Sequence, residues 1–458
     1  MGAAQYNDPA LKKLLTAVAA LVALIAVAFG VGSVRWRPAH RSSPPRLEET
    51  AHGAGPLLAG AATVALEPVA PVPIGGFPRL QWTAEGQRDP LAVRALALQE
   101  PGCTVALVSV EILLIPGTLQ HAIERRVRDL DLDRVIVAAT HTHAGLGGYW
   151  DDALGERLAT GPYREDIFDH VVDRAALAVR QAVAALRPAY LSVGHGHAPA
   201  LARNRDGGAV DGRLVAVRLV ARSGETTATI VDFASHATLL GMENRRLSGD
   251  WPGALMRSSS SPLLFFQGAV GDQSPRMPPG LAANPELYAH ALAGKLAHLR
   301  WSRPDPWPEM AVATSTAVLP PADPGAAPRT LRAIARNVFY DLVPARARVV
   351  ALRLGPLTLI AVPAEPVAEV GRRWREAAGE GSEVLALAGE YLGYVETPER
   401  MAQQAGETVR TYYGPDLADR LEKAIDLAAR AVGTSPVQRS DAAPQNRTTG
   451  APRESHER

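Results

Sequence analysis

Apolar residues along this chain recur in two rhythms. Short runs rich in Val, Ile, Leu and Ala at 105–110, 135–140, 190–194, 214–220, 227–233, 263–270, 349–354 and 357–362 have the length and composition of strands. Longer stretches with apolar positions three and four apart predict helices over 117–130, 163–186, 285–299, 366–378 and 415–432. The two kinds alternate without an internal repeat. The pattern therefore predicts an α/β (mixed α+β) body, one large domain over 58–433 with a mixed sheet flanked by helices.

The ends read differently. Residues 14–34 are almost uninterruptedly apolar and lie between Lys12-Lys13 and Arg35-Trp36-Arg37. About 20 apolar residues suffice to cross a bilayer as a helix. This stretch is expected to be a transmembrane anchor or signal segment, with 1–13 as a cytoplasmic N-terminus and the body exported to the periplasm or exterior. Ala26-Val27-Ala28 resembles a small-residue cleavage site, so secretion after cleavage is the alternative. Residues 35–57, rich in Arg, Pro and Ser, read as a linker, and the polar stretch 434–458 as a disordered tail.

Composition narrows the function classes by exclusion. With 48 basic and 47 acidic residues and a formal net charge of +1, there is no basic footprint for nucleic acid. The single cysteine, Cys103, rules out an intrachain disulfide and any cysteine-cluster metal site. At the start of an apolar run, it is expected to be a small buried residue and no nucleophile.

The candidate chemistry sits where apolar runs end. In Thr140-His141-Thr142-His143-Ala144-Gly145 two imidazoles follow a strand and precede a glycine-rich loop. Side chains two apart on a strand share a face, with Cα atoms roughly 7 Å apart, so both rings can enter one cavity. Imidazole is the commonest side-chain ligand for zinc. Alone, an HxH is equally well read as a pair of hydrogen-bonded packing residues. His236 repeats the arrangement after 227–233, ahead of a loop closed by Leu247-Ser248-Gly249-Asp250. A second HxH, His195-Gly196-His197, is read as solvated loop, and Arg205 in Asn204-Arg205-Asp206 as a charge in a polar loop. Ser274 lies on the turn Gly271-Asp272-Gln273-Ser274-Pro275 beyond an apolar run, without an adjacent base. Glu365 ends 357–362 just before a helix, where it is either a third metal ligand or an acid favoured by the helix N-terminus, and Tyr394 offers a phenol in a Gly/Pro-punctuated loop.

Taken in order, these segments resemble the N-terminal catalytic domain of the neutral (alkaline, non-lysosomal) ceramidases. The resemblance rests on Ala139-Thr140-His141-Thr142-His143-Ala144-Gly145, Asn204-Arg205, His236 with Leu247-Ser248-Gly249-Asp250, Gly271-Asp272-Gln273-Ser274-Pro275, Pro363-Ala364-Glu365-Pro366 and Gly393-Tyr394-Val395-Glu396-Thr397-Pro398-Glu399. It implies a zinc amidase that cleaves N-acylsphingosine to sphingosine and fatty acid, hence a place in sphingolipid metabolism and a lipid substrate, and it implies no protein partner. Carried over position by position, it implies Zn2+ ligands at His141, His236, Glu365 and Tyr394, with His143, Arg205, Ser274 and Tyr394 in catalysis. The resemblance, not the spacing, selects His141 over His143 as ligand.

Two departures temper the substrate. The family places a second pocket tyrosine in a Tyr-Glu-Gly segment, whereas here Gln404-Ala405-Gly406-Glu407-Thr408 puts Gly406 at that position, leaving Tyr412 or Tyr413 to supply the phenol. The sequence also stops soon after Tyr413-Gly414-Pro415, so the family's C-terminal immunoglobulin-like domain is expected to be missing. A zinc hydrolase of another amide or ester is thus the alternative, and an inactive membrane-tethered lipid-binding or envelope protein the reading from a different class.

Overall fold

The computed structural model describes residues 43–433 except 69, 70, 80, 81, 329 and 341. The apolar segment 14–34 and the polar tail 434–458 lie outside the described residues. Among the described residues, no helix is long and apolar enough to cross a membrane.

Two large sheets, rather than the one expected, organise the body. A nine-stranded sheet runs in the order Leu263–Gln267, Thr226–Phe233, Arg213–Ala221, Arg187–His197, Leu58–Ala65, Ala92–Glu100, Cys103–Val110, Arg134–Ala139, with Arg300–Trp301 added on Arg187–His197. A five-stranded sheet runs Arg46–His52, Met310–Val318, Arg346–Leu354, Leu357–Ala361, Ser382–Leu385. Strand alternation explains the layering. Leu96, Leu98, Val105, Leu107, Ile136 and Ala138 of the first sheet share one core with Met310, Val312, Leu352 and Leu354 of the second. Their alternates Val93, Ala95, Ala106, Val108, Val135, Ala313, Val349 and Ala351 face outward under helices.

The helices present matching stripes. In Asp416–Gly433 the buried positions Leu417, Leu421, Ala424, Ile425 and Ala428 recur three and four apart, and the helix lies on the strands Met310–Val318 and Arg346–Leu354. Glu165–Ala184 covers Leu58–Ala65 and Ala92–Glu100. It approaches so closely that a Cβ at Gly60 would lie 2.6 Å from the carbonyl carbon of Ala185. Asp250–Ser258 and Pro285–Ala297 cover the other half of the nine-stranded sheet around Trp251, Tyr288 and Phe265.

Two local readings change. The stretch read as linker contains the strand Arg46–His52, a largely exposed edge strand paired antiparallel with Met310–Val318. Its polar sequence carries no alternation, and backbone pairing holds it. His195-Gly196-His197 is not loop but the end of the strand Arg187–His197, paired with Arg213–Ala221, with both imidazoles exposed.

Most ladders are antiparallel, and the parallel ones locate the site. Among the described strands the parallel pairs are Cys103–Val110 with Arg134–Ala139, Thr226–Phe233 with Leu263–Gln267, Leu357–Ala361 with Ser382–Leu385, and the short Glu365–Pro366 with Tyr394–Val395. Ligands of α/β sheets bind beyond the carboxyl ends of parallel strands. Here His141, His236 and Glu365 each follow such an end.

Candidate functional site

The strand Arg134–Ala139 stops two residues before His141, which takes a left-handed backbone with φ 66°. The two imidazoles of the HxH therefore meet through a turn and not along a strand face. Thr142 pairs in parallel with Ala237, and the His143 amide donates to the Ala237 carbonyl at 3.2 Å, which brings the two histidine loops side by side. The His141 ring lies 4.9 Å from that of His143 and 4.7 Å from that of His236.

Each ring is oriented by the nitrogen it turns away from the centre. His141 Nδ1 donates to the Leu113 carbonyl at 2.8 Å, and His236 Nδ1 to the Gln273 carbonyl at 2.8 Å. A carbonyl can only accept, so in the neutral rings both Nε2 atoms present lone pairs inward. Glu365 enters from the other sheet with Oε2 3.1 Å from His141 Nε2 and 3.3 Å from His236 Nε2. The short parallel ladder sets Glu365 opposite Tyr394, whose hydroxyl donates to His236 Nε2 at 3.0 Å.

This donor set fits a cation. His141 Nε2 and Glu365 Oε2 are buried without a hydrogen-bond partner, although they lie within ion-pair distance. Two acceptors facing each other in a dry site are stabilised by a positive ion between them. His141, His143 and His236 form the group among the described residues whose ligand atoms lie within 4.8 Å of one another and could hold a metal. Glu365 Oε2 lies closer than that limit to His141 Nε2 and His236 Nε2, so Glu365 and His143 are both placed to serve as a third ligand. His143 has neither ring nitrogen bonded and Phe77 at 4.7 Å against its ring.

Burial sets the protonation states. His143 is pushed well below the usual imidazole range, first by desolvation and then by His141 and His236. Desolvation also lowers His236, to about 4, against the opposing pull of Glu365. For Glu365, burial favours the neutral acid, but the two imidazoles outweigh it and hold the carboxyl well below its ordinary value. Tyr394 is raised well above the phenol range by burial and then by Glu365.

Arg205 is not a surface charge. Its guanidinium pairs with Glu407 at 2.7 Å, donates to the Gly271 carbonyl and reaches the Tyr394 hydroxyl at 3.5 Å. Its Nε is buried and without a partner. Ser274 lies on the strand Gln273–Pro275, paired with Arg203, next to the carbonyl that orients His236. Its side chain is buried and its hydroxyl makes no hydrogen bond among the described residues. The turn that carries it is a hub. Asp272 accepts from the Ala368 amide at 2.9 Å, at the start of the helix Ala368–Ala378, and from Asn204, while its carbonyl takes the Arg205 amide.

Several contributors were not legible in the sequence. Tyr391, three residues before Tyr394, donates to Glu365 Oε1 at 2.8 Å and so leaves Oε2 for the centre. Glu407 holds Arg205, and Trp251 donates its indole N–H to the His236 carbonyl at 3.0 Å. Of the two phenols expected to stand in for Gly406, Tyr413 is bonded away from the donors, whereas Tyr412 lies near enough to Glu365 for that charge to add to burial in raising the phenol. Tyr413 is bonded to the Pro344 carbonyl at 2.6 Å, and Tyr412 packs on Tyr391 with ring centroids 6.1 Å apart. Gly406 itself has φ 61°, and a Cβ there would run into the Glu396 carboxylate.

Residues 60–258 match the sequence profile of the neutral/alkaline non-lysosomal ceramidases, N-terminal. Over this stretch the chain is similar to the neutral ceramidase family. The matched stretch contains His141, His143, Arg205 and His236 of this site, whereas Ser274, Glu365 and Tyr394 lie beyond it. The neutral ceramidase of Mycobacterium tuberculosis is 30% identical over 176 residues, covering 34% of this chain and 27% of that protein. That of Pseudomonas aeruginosa is 28% identical over 170 residues, covering 32% of this chain and 25% of that one. These alignments thus span about a quarter of the relatives' length. The crystal structure of the Pseudomonas aeruginosa neutral ceramidase shares the fold, with a TM-score of 0.73 at 20% identity over 82% of this chain and 74% of that chain. A ceramidase complexed with C2 superposes equally, with a TM-score of 0.72 at 20% identity over 82% of this chain and 75% of the other.

Proposed function

We propose that the protein is a zinc-dependent amidohydrolase that cleaves ceramide or a related N-acyl lipid to a fatty acid and an amine. The observation that carries this reading is the buried set of His141 Nε2, His236 Nε2 and Glu365 Oε2, three acceptors within 3.3 Å contacts and two of them without a hydrogen-bond partner. Nitrogen and oxygen donors of this kind suit zinc, with Tyr394 as fourth group. Bound zinc would polarise the amide carbonyl and lower the pKa of water toward ~7.

The chain's own groups then divide the remaining work. His143, neutral and unbonded at both nitrogens, takes the proton from the attacking water. Because its cation is disfavoured by burial, it passes that proton on to the departing amide nitrogen, so that one water is consumed as the C–N bond breaks. Arg205 and the Tyr394 hydroxyl stand where negative charge develops on the former carbonyl oxygen. Ser274 holds a hydroxyl of the substrate, with direct attack on the carbonyl as the alternative. The lipid reaches an enzyme that faces the periplasm or exterior on an N-terminal anchor.

Purified full-length protein tests this by zinc content and by turnover of N-acyl amines with and without a sphingoid base. Stoichiometric zinc is expected, together with its loss in the His141→Ala/His236→Ala double variant. Retention of zinc by that variant would remove the site as drawn. Turnover confined to amides without a sphingoid base would move the substrate but keep the chemistry. Accumulation of an acyl-enzyme in wild type and not in Ser274→Ala would assign Ser274 the direct attack.

A further inference from the structure

The connection between the strands Met310–Val318 and Arg346–Leu354 is a long excursion that carries the helix Arg332–Phe339. Leu331, Ile334 and Val338 are 52%, 38% and 59% exposed. With Ala335 they sit three, four and seven positions apart, which places them on one side of the helix. An amphipathic helix ordinarily turns such a stripe inward. Here Arg332 and Arg336 are turned to the body, both paired with Asp323, and the apolar side faces out.

The position of the helix supplies the occupant. Arg46, the first residue of the edge strand, pairs with Thr316, and Val318 pairs with Arg346, so the chain arriving from its N-terminal segment enters the body at the base of this same excursion. Between Val34, the last residue of the apolar stretch, and residue 43 the backbone can span at most roughly 30 Å. The excursion also leads to the site. The Asp323 amide donates to the Tyr412 carbonyl, Phe339 packs on the Tyr412 ring at 6.5 Å, and Tyr412 packs on the Tyr391 that holds Glu365. Val409, 57% exposed, lies in the same site-lining segment, near Gly325.

We infer that the Leu331, Ile334 and Val338 face of this helix docks on the bilayer surface that receives the chain's own apolar segment 14–34, and so turns the metal centre toward membrane lipid. The inference rests on the reading of 14–34 as a membrane segment, and it adds an orientation and a contact surface that this reading does not contain. Apolar faces of short amphipathic helices lie at the boundary of headgroups and acyl chains.

The test is site-specific quenching in full-length protein reconstituted into phosphatidylcholine vesicles that carry acyl-chain nitroxides. A bimane label is placed in turn at Ile334→Cys, Val338→Cys and, on the exposed opposite side of the helix, Ala333→Cys. Cys103 does not interfere, because it is 1% exposed and burial pushes its thiol up to about 12. Quenching at 334 and 338 is expected to exceed that at 333 at least about fivefold. Equal quenching at all three positions overturns the proposal. So does shielding of 334 and 338 in detergent solution together with a doubled mass, which would give the face to a second copy of the chain. The readout needs no turnover, so it stands apart from the fate of the amidase reading. A double variant Ile334→Asn/Val338→Asn extends it: turnover of bilayer-embedded N-acyl lipid should fall about tenfold while turnover of the same lipid in detergent micelles stays unchanged.

Discussion

Replacing Tyr391 with phenylalanine removes one hydrogen-bond donor and almost nothing else. The ring keeps its contacts with Trp150, at 5.7 Å between centroids, and with Tyr412 at 6.1 Å. What is lost is the O–H bond to Glu365 Oε1 at 2.8 Å, made to a carboxylate that is buried and held ionised. A hydrogen bond to a charged group contributes about 1.5–3 kcal/mol. With tenfold per 1.4 kcal/mol, that is a loss of about 10- to 100-fold in metal affinity, the range reported generally for groups that orient a metal ligand. The assay is zinc competition against a chromophoric chelator at pH 7.5, with wild type, Y391F, Glu365→Gln and the double variant. In the Glu365→Gln background the tyrosine should matter much less, because its charged partner is gone. Y391F that binds zinc within about twofold of wild type, while Glu365→Gln weakens binding strongly, would refute the argument that Tyr391 leaves Oε2 for the metal.

Gly406 offers a second test, since restoring the family tyrosine there should harm the protein. At φ 61° a side chain costs about 1–2 kcal/mol. It would also displace the Glu396 carboxylate from the Thr397 and Glu407 amides, at about 1 kcal/mol each. Gly406→Tyr is therefore expected to lose about 3–4 kcal/mol in urea unfolding, and an unchanged midpoint would contradict the geometry. For pH, the buried His236 has its value lowered to about 4, so the neutral ring contributes stability that is complete above the unfolded value near 6.5 and is lost as pH falls from there toward about 4. The metal-free protein should lose up to about 3 kcal/mol over that interval through this group. Glu100 and Asp250, raised by burial to about 7 and about 6, titrate with the opposite sign, so the comparison is with His236→Gln, in which the His236 slope should vanish.

Much of this architecture could be read in advance because its signals are local. The strand that ends before His141 is Val-Ile-Val-Ala-Ala, and the one before Glu365 is equally apolar. Their ends were therefore visible, and so were the residues placed there. The helix 163–186 was found at Glu165–Ala184 because a twenty-residue stripe leaves little ambiguity. The strands Leu58–Ala65 and Met310–Val318 escaped because Ala, Gly, Ser and Thr fill their positions, and such residues favour no period strongly. The helix Asp250–Ser258 was hidden by Pro252 and Gly253 within it. Whether a polar residue near the centre serves it is a matter of long-range pairing. Tyr391 and Tyr394 look alike in the sequence, yet one reaches Glu365 Oε1 and the other His236 Nε2, and only the register of Glu365 with Tyr394 decides which.

That register has a consequence for assembly. His141 and His236 hang from the nine-stranded sheet, whereas Glu365 follows a strand of the five-stranded sheet and Tyr394 pairs beside it. If these four groups hold the proposed ion, it would bridge the joint between the two sheets. Its binding would then favour the aligned arrangement of the two sheets, and a slip of one against the other would separate the donors. As proposed, the donor set would be complete only once Glu365 and Tyr394, paired with each other, have docked against the loops of His141 and His236.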